Sequence, residues 1–165
     1  MLDWRSAGLA GSRVRRNHAL EHATITILSG RVPNVVLRGR SNRNGFYVTG
    51  QVTAAEIRSA ADDALSRLQS GQSELAIHPF CGTNLAVTGT LSGLAAALAA
   101  RVNRRAGTYP SAVLAALIAV MAAQPLGIWA QRYLTTNANP GSLHIEGVEQ
   151  RSFLGRRLHF VRTST

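Results

Sequence analysis

His18-Ala19-Leu20-Glu21-His22 brings together three residues whose types and spacing can do metal chemistry. On a helix, His18 and His22 stand one turn apart on one face, so both imidazoles can reach one zinc ion. Glu21 lies a turn from His18. An acid at that place can act as general base on a metal-bound water, whose acidity the ion raises toward neutrality. The competing reading is structural: His18 and His22 cap or line a polar core, and Glu21 pairs with Arg15 or Arg16.

A second cluster is His78-Pro79-Phe80-Cys81-Gly82-Thr83-Asn84. His78 and Cys81 are three residues apart, and both side chains are zinc donors. Either one can supply the third protein ligand if the fold carries this segment to the first cluster. On the structural reading, His-Pro ends a strand, Gly82 turns the chain and Cys81 is a small apolar packing residue. Thr83 or Asn84 is expected to cap the helix that follows. His144 and His159 are read as surface or core histidines. Asn17, beside His18, is either a support for that ligand or an ordinary helix residue.

These residues need elements to hold them. Ser12 to Ser29 reads as a helix, with Leu20, Ala23, Ile27 and Leu28 at three- and four-residue spacing; the β-branched run Thr24–Ile27 argues weakly for a strand. Gly30 and Pro33 stop the helix. Asn34 to Arg40 and Gly45 to Gly50 read as a β-hairpin across Ser41-Asn42-Arg43-Asn44. Thr53-Ala54-Ala55-Glu56 is a capping box, opening an amphipathic helix that Gly71 ends. Ser73 to His78 is expected to be a short strand. Ser142 to Val148 and Arg157 to Arg162 are expected to form a final hairpin.

Between these lie two uncharged stretches, with helices expected at about 85–102 and 109–131. Each approaches the roughly 20 apolar residues a bilayer requires. Gly89 and Gly93 form a G-x-x-x-G step, extended by Ala97, which suits close helix pairing and a homo-oligomer in lipid. Tyr109, Trp129 and Tyr133 flank the second stretch, where interfacial aromatics belong. A buried Ala-rich hairpin in a soluble fold or dimer is the competing reading. The expected fold is therefore α+β: one domain, 1–165, with a small mixed or antiparallel sheet and two amphipathic helices. An apolar, transmembrane hairpin, 85–131, is inserted into it.

The 165 residues carry a formal net charge of +10, and all 18 basic residues are Arg. That surplus favours an anionic partner, and a lipid bilayer surface is the expected one. Nucleic acid is not expected, because the sparse aromatics are not interleaved with the arginines as a stacking platform needs. The single cysteine, Cys81, excludes a disulfide framework within the chain. Met1 to Gly11 is too short and polar for a signal peptide. Arg101, Arg104 and Arg105 balance Arg67, Arg132 and Arg151 across the hairpin, so charge does not orient it. The expected location is the cytoplasmic membrane, with the soluble unit on the cytoplasmic side.

The stretches Asn17-His18-Ala19-Leu20-Glu21-His22-Ala23 and His78-Pro79-Phe80-Cys81-Gly82-Thr83-Asn84 resemble the marks of an uncharacterised bacterial family of small membrane proteins carrying a domain of unknown function. The likeness runs from about Arg15 through the apolar hairpin and implies a membrane protein. The H-x-x-E-H motif alone also resembles the insulinase-type metallopeptidases. That resemblance implies His18 and His22 as ligands and Glu21 as base. In those enzymes a downstream glutamate is the third ligand; here the corresponding stretch is the first apolar helix, which has no acid, and Glu74 lies nearer. The functional expectation is a membrane-anchored zinc protein. Its ligands are His18 and His22 with His78 or Cys81, and as an enzyme it would be a zinc-dependent hydrolase using Glu21. The alternative is a non-catalytic adaptor whose Arg-rich unit binds anionic lipid or a protein partner.

Overall fold

A computed structural model of the chain describes residues 4–102, 108–153 and 156–165, with side chains described over 12–102, 109–152 and 158–165. Arg104 and Arg105, and the first three residues, lie outside these. The chain divides into two compact units: Met1–His78 with Thr135–Thr165, and Pro79–Leu134.

The first unit is α+β. It contains helix α1 (Trp4–Arg31), strands β1 (Arg38–Asn42) and β2 (Gly45–Thr49), helix α2 (Ala54–Gln69), a 3-10 turn (Ser73–Ala76), and strands β3 (His144–Phe153) and β4 (Arg156–Ser164). The sheet is antiparallel throughout, in the order β1-β2-β4-β3. The chain segment that returns after residue 134 thus supplies a central strand, β4, and an edge strand, β3. Alternation along the strands sends Phe46, Val48 and Val161 to one face, where they are buried against Ala19, Leu20, Ala23 and Leu28 of α1 and Ile57, Ala60, Ala61, Ala64 and Leu68 of α2. Each large apolar side chain sealed there contributes about 1.5–3 kcal/mol relative to exposure.

Helix α2 opens as its capping box requires. The amide of Glu56 donates to Thr53 Oγ1 (3.2 Å), and the amide of Thr53 donates to Glu56 Oε2 (2.7 Å). Helix α1 runs straight through the β-branched run: Thr24 Oγ1 donates to the carbonyl of Leu20 (2.7 Å), and every residue from Ala19 to Ile25 is buried. Burial on almost all sides outweighs the small propensity cost of those residues.

Three expected elements are corrected. Ser73 to His78 is not a strand. Its amides bond locally, Leu75 to the carbonyl of Gln72 (3.3 Å) and Ile77 to that of Glu74 (3.1 Å), which makes a 3-10 turn; β1 and β3 form the edges of the sheet and neither pairs with it. The first strand begins at Arg38 rather than Asn34, because Asn34 takes a left-handed conformation (φ 65°) that breaks extension. Ser41 and Asn42 belong to that strand, so Arg43-Asn44 alone make the turn, closed by Asn42↔Gly45.

The second unit is a helical hairpin of α3 (Gly82–Val102) and α4 (Thr108–Ala130), the latter running into a π-helical turn, Gln131–Thr135. Both helices are long and apolar enough to cross a membrane, the second counted as Tyr109–Thr135. Their packing is inverted relative to a soluble core. Small residues of α4 (Ala115, Ala119, Ala123 and Gly127) make up its less exposed seam, while Leu94, Leu98, Leu114, Leu117, Ile118 and Met121 lie exposed on the hairpin's outside. Nothing of the apolar window of α3 is buried within the described chain, and 11% of that of α4 is. Helix α3 starts at Gly82, so Thr83 and Asn84 are inside its first turn and Cys81 takes the cap position. The carbonyl of Cys81 accepts from Leu85 (3.2 Å) and its Sγ accepts from the amide of Thr83 (3.4 Å). Asn84 donates to the carbonyl of Pro79 (2.8 Å) and lies over Gly127, where a Cβ would collide with it.

Candidate metal centre

Helix α1 carries the first cluster as a fixed platform. Asn17, fully buried, donates to the carbonyls of Asn42 (2.9 Å) and Arg43 (3.3 Å), and its Oδ1 accepts from Thr163 Oγ1 (2.7 Å). One side chain thus locks α1 to the β1–β2 turn and to β4. Arg15 Nε and Nη2 donate to the carbonyl of Thr136 (3.2 and 3.0 Å), and Asn137 donates to the carbonyl of Arg15 (3.0 Å), which ties α1 to the returning segment.

Both imidazoles are oriented by backbone carbonyls. His18 Nδ1 is 3.0 Å from the carbonyl oxygen of Thr135, and His22 Nδ1 is 2.7 Å from that of Ala76. A carbonyl oxygen only accepts, so each Nδ1 carries the proton. An imidazole in the neutral form with its proton there holds its lone pair on Nε2, the form in which histidine ligates metal, with an orienting carbonyl on the other nitrogen. The rings of His18 and His22 are 4.3 Å apart at an interplanar angle of 64°, and a ring nitrogen of each lies within 4.8 Å of the other. Two imidazole nitrogens on one tetrahedral zinc stand about 3.3 Å apart, a gap that small ring rotations close. His78, two residues beyond the 3-10 turn, places its ring 5.9 Å from that of His22. The first unit therefore brings the rings of His18 and His22 together and sets that of His78 beside His22.

Cys81 belongs to the second unit and lies at the N-terminus of α3. Its sulfur receives the Thr83 amide there, and the helix end favours the negative charge that a metal-binding thiolate carries. Glu21 is buried and turned toward β1: Ser41 Oγ donates to its Oε2, and Gly39 leaves room that any Cβ would fill with a clash against its carboxylate. The carbonyls of Ala76 and Thr135, and the partners Ser41 and Gly39, had not been singled out. A lone glycine inside a strand is a sign of close approach, so Gly39 was legible; a backbone carbonyl brought from 54 or 117 residues away leaves no trace in sequence. His144 is exposed on β3, its Nε2 2.7 Å from Ser164 Oγ, and His159 is buried in β4 facing Val48.

Residues 13–148 match a family described as a domain of unknown function, DUF6391. The chain belongs to the DUF6391 family. An uncharacterized protein of Picosynechococcus sp. is similar to it, at 37% identity over 161 residues, covering 90% of this chain and 78% of the relative. No solved structure matches it. Both motif-bearing segments of this DUF6391 chain, Asn17–Ala23 and His78–Asn84, fall within the matched region.

Proposed function

We propose that this DUF6391 protein is a membrane-anchored zinc-binding protein. The observation that carries the reading is the pair of carbonyl bonds that puts the proton of both His18 and His22 on Nδ1, the same ring support at each. His18, His22 and His78 are the nitrogen ligands. Cys81 supplies sulfur: it is three positions along the chain from His78, which keeps their Cα atoms within about 11 Å by chain length alone. The outward display of large apolar side chains on α3 and α4 supports the anchor.

The donor count decides what the zinc can do. Three histidines and a thiolate would close a tetrahedral site, and such sites are structural. If His78 or Cys81 stays off the metal, one position remains for water, and Glu21 is the acid available to take its proton in a hydrolase. The Ser41 bond and the Gly39 contact favour the non-catalytic reading, because they give Glu21 a place in the fold without any substrate.

Elemental analysis of the full chain in detergent, beside His18→Ala/His22→Ala, tests the proposal. Roughly one zinc per chain, lost in the double variant, is expected. A folded wild type that takes up no zinc after it is offered and the excess removed sinks it.

A further inference from the structure

The face of the sheet turned away from α1 and α2 is built from arginine and aromatic side chains. Register places Arg40 opposite Tyr47, Tyr47 opposite Phe160, and Phe160 opposite Glu149, all on that face. The rings of Tyr47 and Phe160 are 4.7 Å apart, and the guanidinium of Arg151 lies over Phe160 at 4.6 Å, with that of Arg162 at 5.8 Å. Glu149 braces both arginines, at 2.8 Å to Arg151 and 2.7 Å to Arg162, and its carboxyl is held below the usual range, chiefly by the Arg151 hydrogen bond. On the edge strand, Arg38 and Arg40 are exposed, and among the described residues neither forms an ion pair. Four arginines thus lie on one face, two of them sharing Glu149 of the other edge strand, β3, with Glu146 also 4.0 Å from Arg162.

We infer that this face docks on the anionic phosphates of a phospholipid surface. Charge complementarity requires an anionic partner, since each arginine at such a surface strengthens binding by about fivefold. The aromatics select lipid over single-stranded nucleic acid. Phe160 is only 3% exposed, sealed beneath Arg151, so it offers no ring for a base to stack on. Arginine and tyrosine on one plane are also an interfacial composition. The inference rests on the membrane-anchored reading: chain connections at 78–79 and 134–135 tether this unit to the hairpin, which keeps headgroups at high effective concentration.

The test is phenylglyoxal labelling of the full chain, read arginine by arginine by mass spectrometry. The protein is held in nanodiscs of phosphatidylcholine with and without phosphatidylglycerol. Labelling of Arg38, Arg40 and Arg151 is expected to slow by about fivefold or more in anionic discs and to recover at high salt, while Arg58 and Arg67 on α2 are unchanged. Arg38→Glu/Arg40→Glu is expected to remove the protection of Arg151. Equal labelling in both discs overturns the docking face and leaves the anchor standing. Chain washed out of membranes by alkaline carbonate overturns the anchor and the inference with it. Protection of the same arginines by a single-stranded oligonucleotide in neutral discs, with none from phosphatidylglycerol, reassigns the face to nucleic acid.

Discussion

His22 Nδ1 stands 2.7 Å from the carbonyl oxygen of Ala76, 54 residues along the chain. This bond fixes the ring's tautomer and also serves the fold, because both partners are buried. His22→Ala should destabilise the metal-free protein by about 1–3 kcal/mol, the cost of an unsatisfied buried carbonyl. His18→Ala, at a half-buried position, should cost less. Chemical denaturation of the two variants with and without zinc separates the structural from the ligating role, since zinc should add stability to the wild type alone.

Metal retention should fall with acidification. Ligating imidazole must be neutral and thiol deprotonated, so protons compete with zinc at every ligand. Zinc release followed by a chromogenic chelator across a pH series should rise as pH drops. Cys81→Ser should shift that release to higher pH; an unchanged curve would remove Cys81 from the ligand set.

Glu21 and Gly39 should behave as one unit. Gly39→Ala drives a methyl group into the Glu21 carboxylate and should cost about 1–3 kcal/mol. In a Glu21→Ala background the same substitution should cost much less. Additive costs in this double-mutant cycle would mean that the strand adjusts elsewhere.

Asn17 ties three segments, so Asn17→Ala should rank among the most damaging single changes in α1. Loss of its bonds to Asn42, Arg43 and Thr163 should cost about 2–4 kcal/mol. Thermal melting of the full chain would show it.

At the start of α2, the Glu56 carboxyl is held below its ordinary 4.5, first by the Thr53 backbone amide and then by its hydroxyl. A depressed folded value means the box stabilises above the unfolded pKa and is lost as pH falls through the folded one. Thr53→Ala should cost about 1 kcal/mol at neutral pH, and the difference from wild type should shrink in acid below 4.5.

In the hairpin, Gly127 and the pair Gly89 and Gly93 should part company. A Cβ at Gly127 meets Asn84, whereas nothing lies within 4 Å of one at Gly89 or Gly93, both exposed. Gly127→Ala should loosen α3 from α4. Gly89→Leu/Gly93→Leu should leave the hairpin intact and act only on association between chains, read by crosslinking in lipid.

Local chemistry was legible in the residues themselves. The Thr53–Glu56 box acts between neighbours three residues apart, and the two uncharged stretches declare their length and apolarity directly, so both could be read before any folding. The spacing of His18 and His22 gave their common face because helical geometry is periodic. The Ser73–His78 segment was misjudged because a short apolar run does not state whether a sheet edge is available to it. Which face of α3 meets α4 was equally hidden: nothing in the sequence marked Asn84 as the partner of Gly127. Tertiary structure alone decided the tautomers of His18 and His22, the lodging of Glu21 against β1, and the gathering of Arg38, Arg40, Arg151 and Arg162 on one sheet face. Each depends on partners drawn from distant parts of the chain, and long-range register is set by packing the whole rather than by any residue's neighbours.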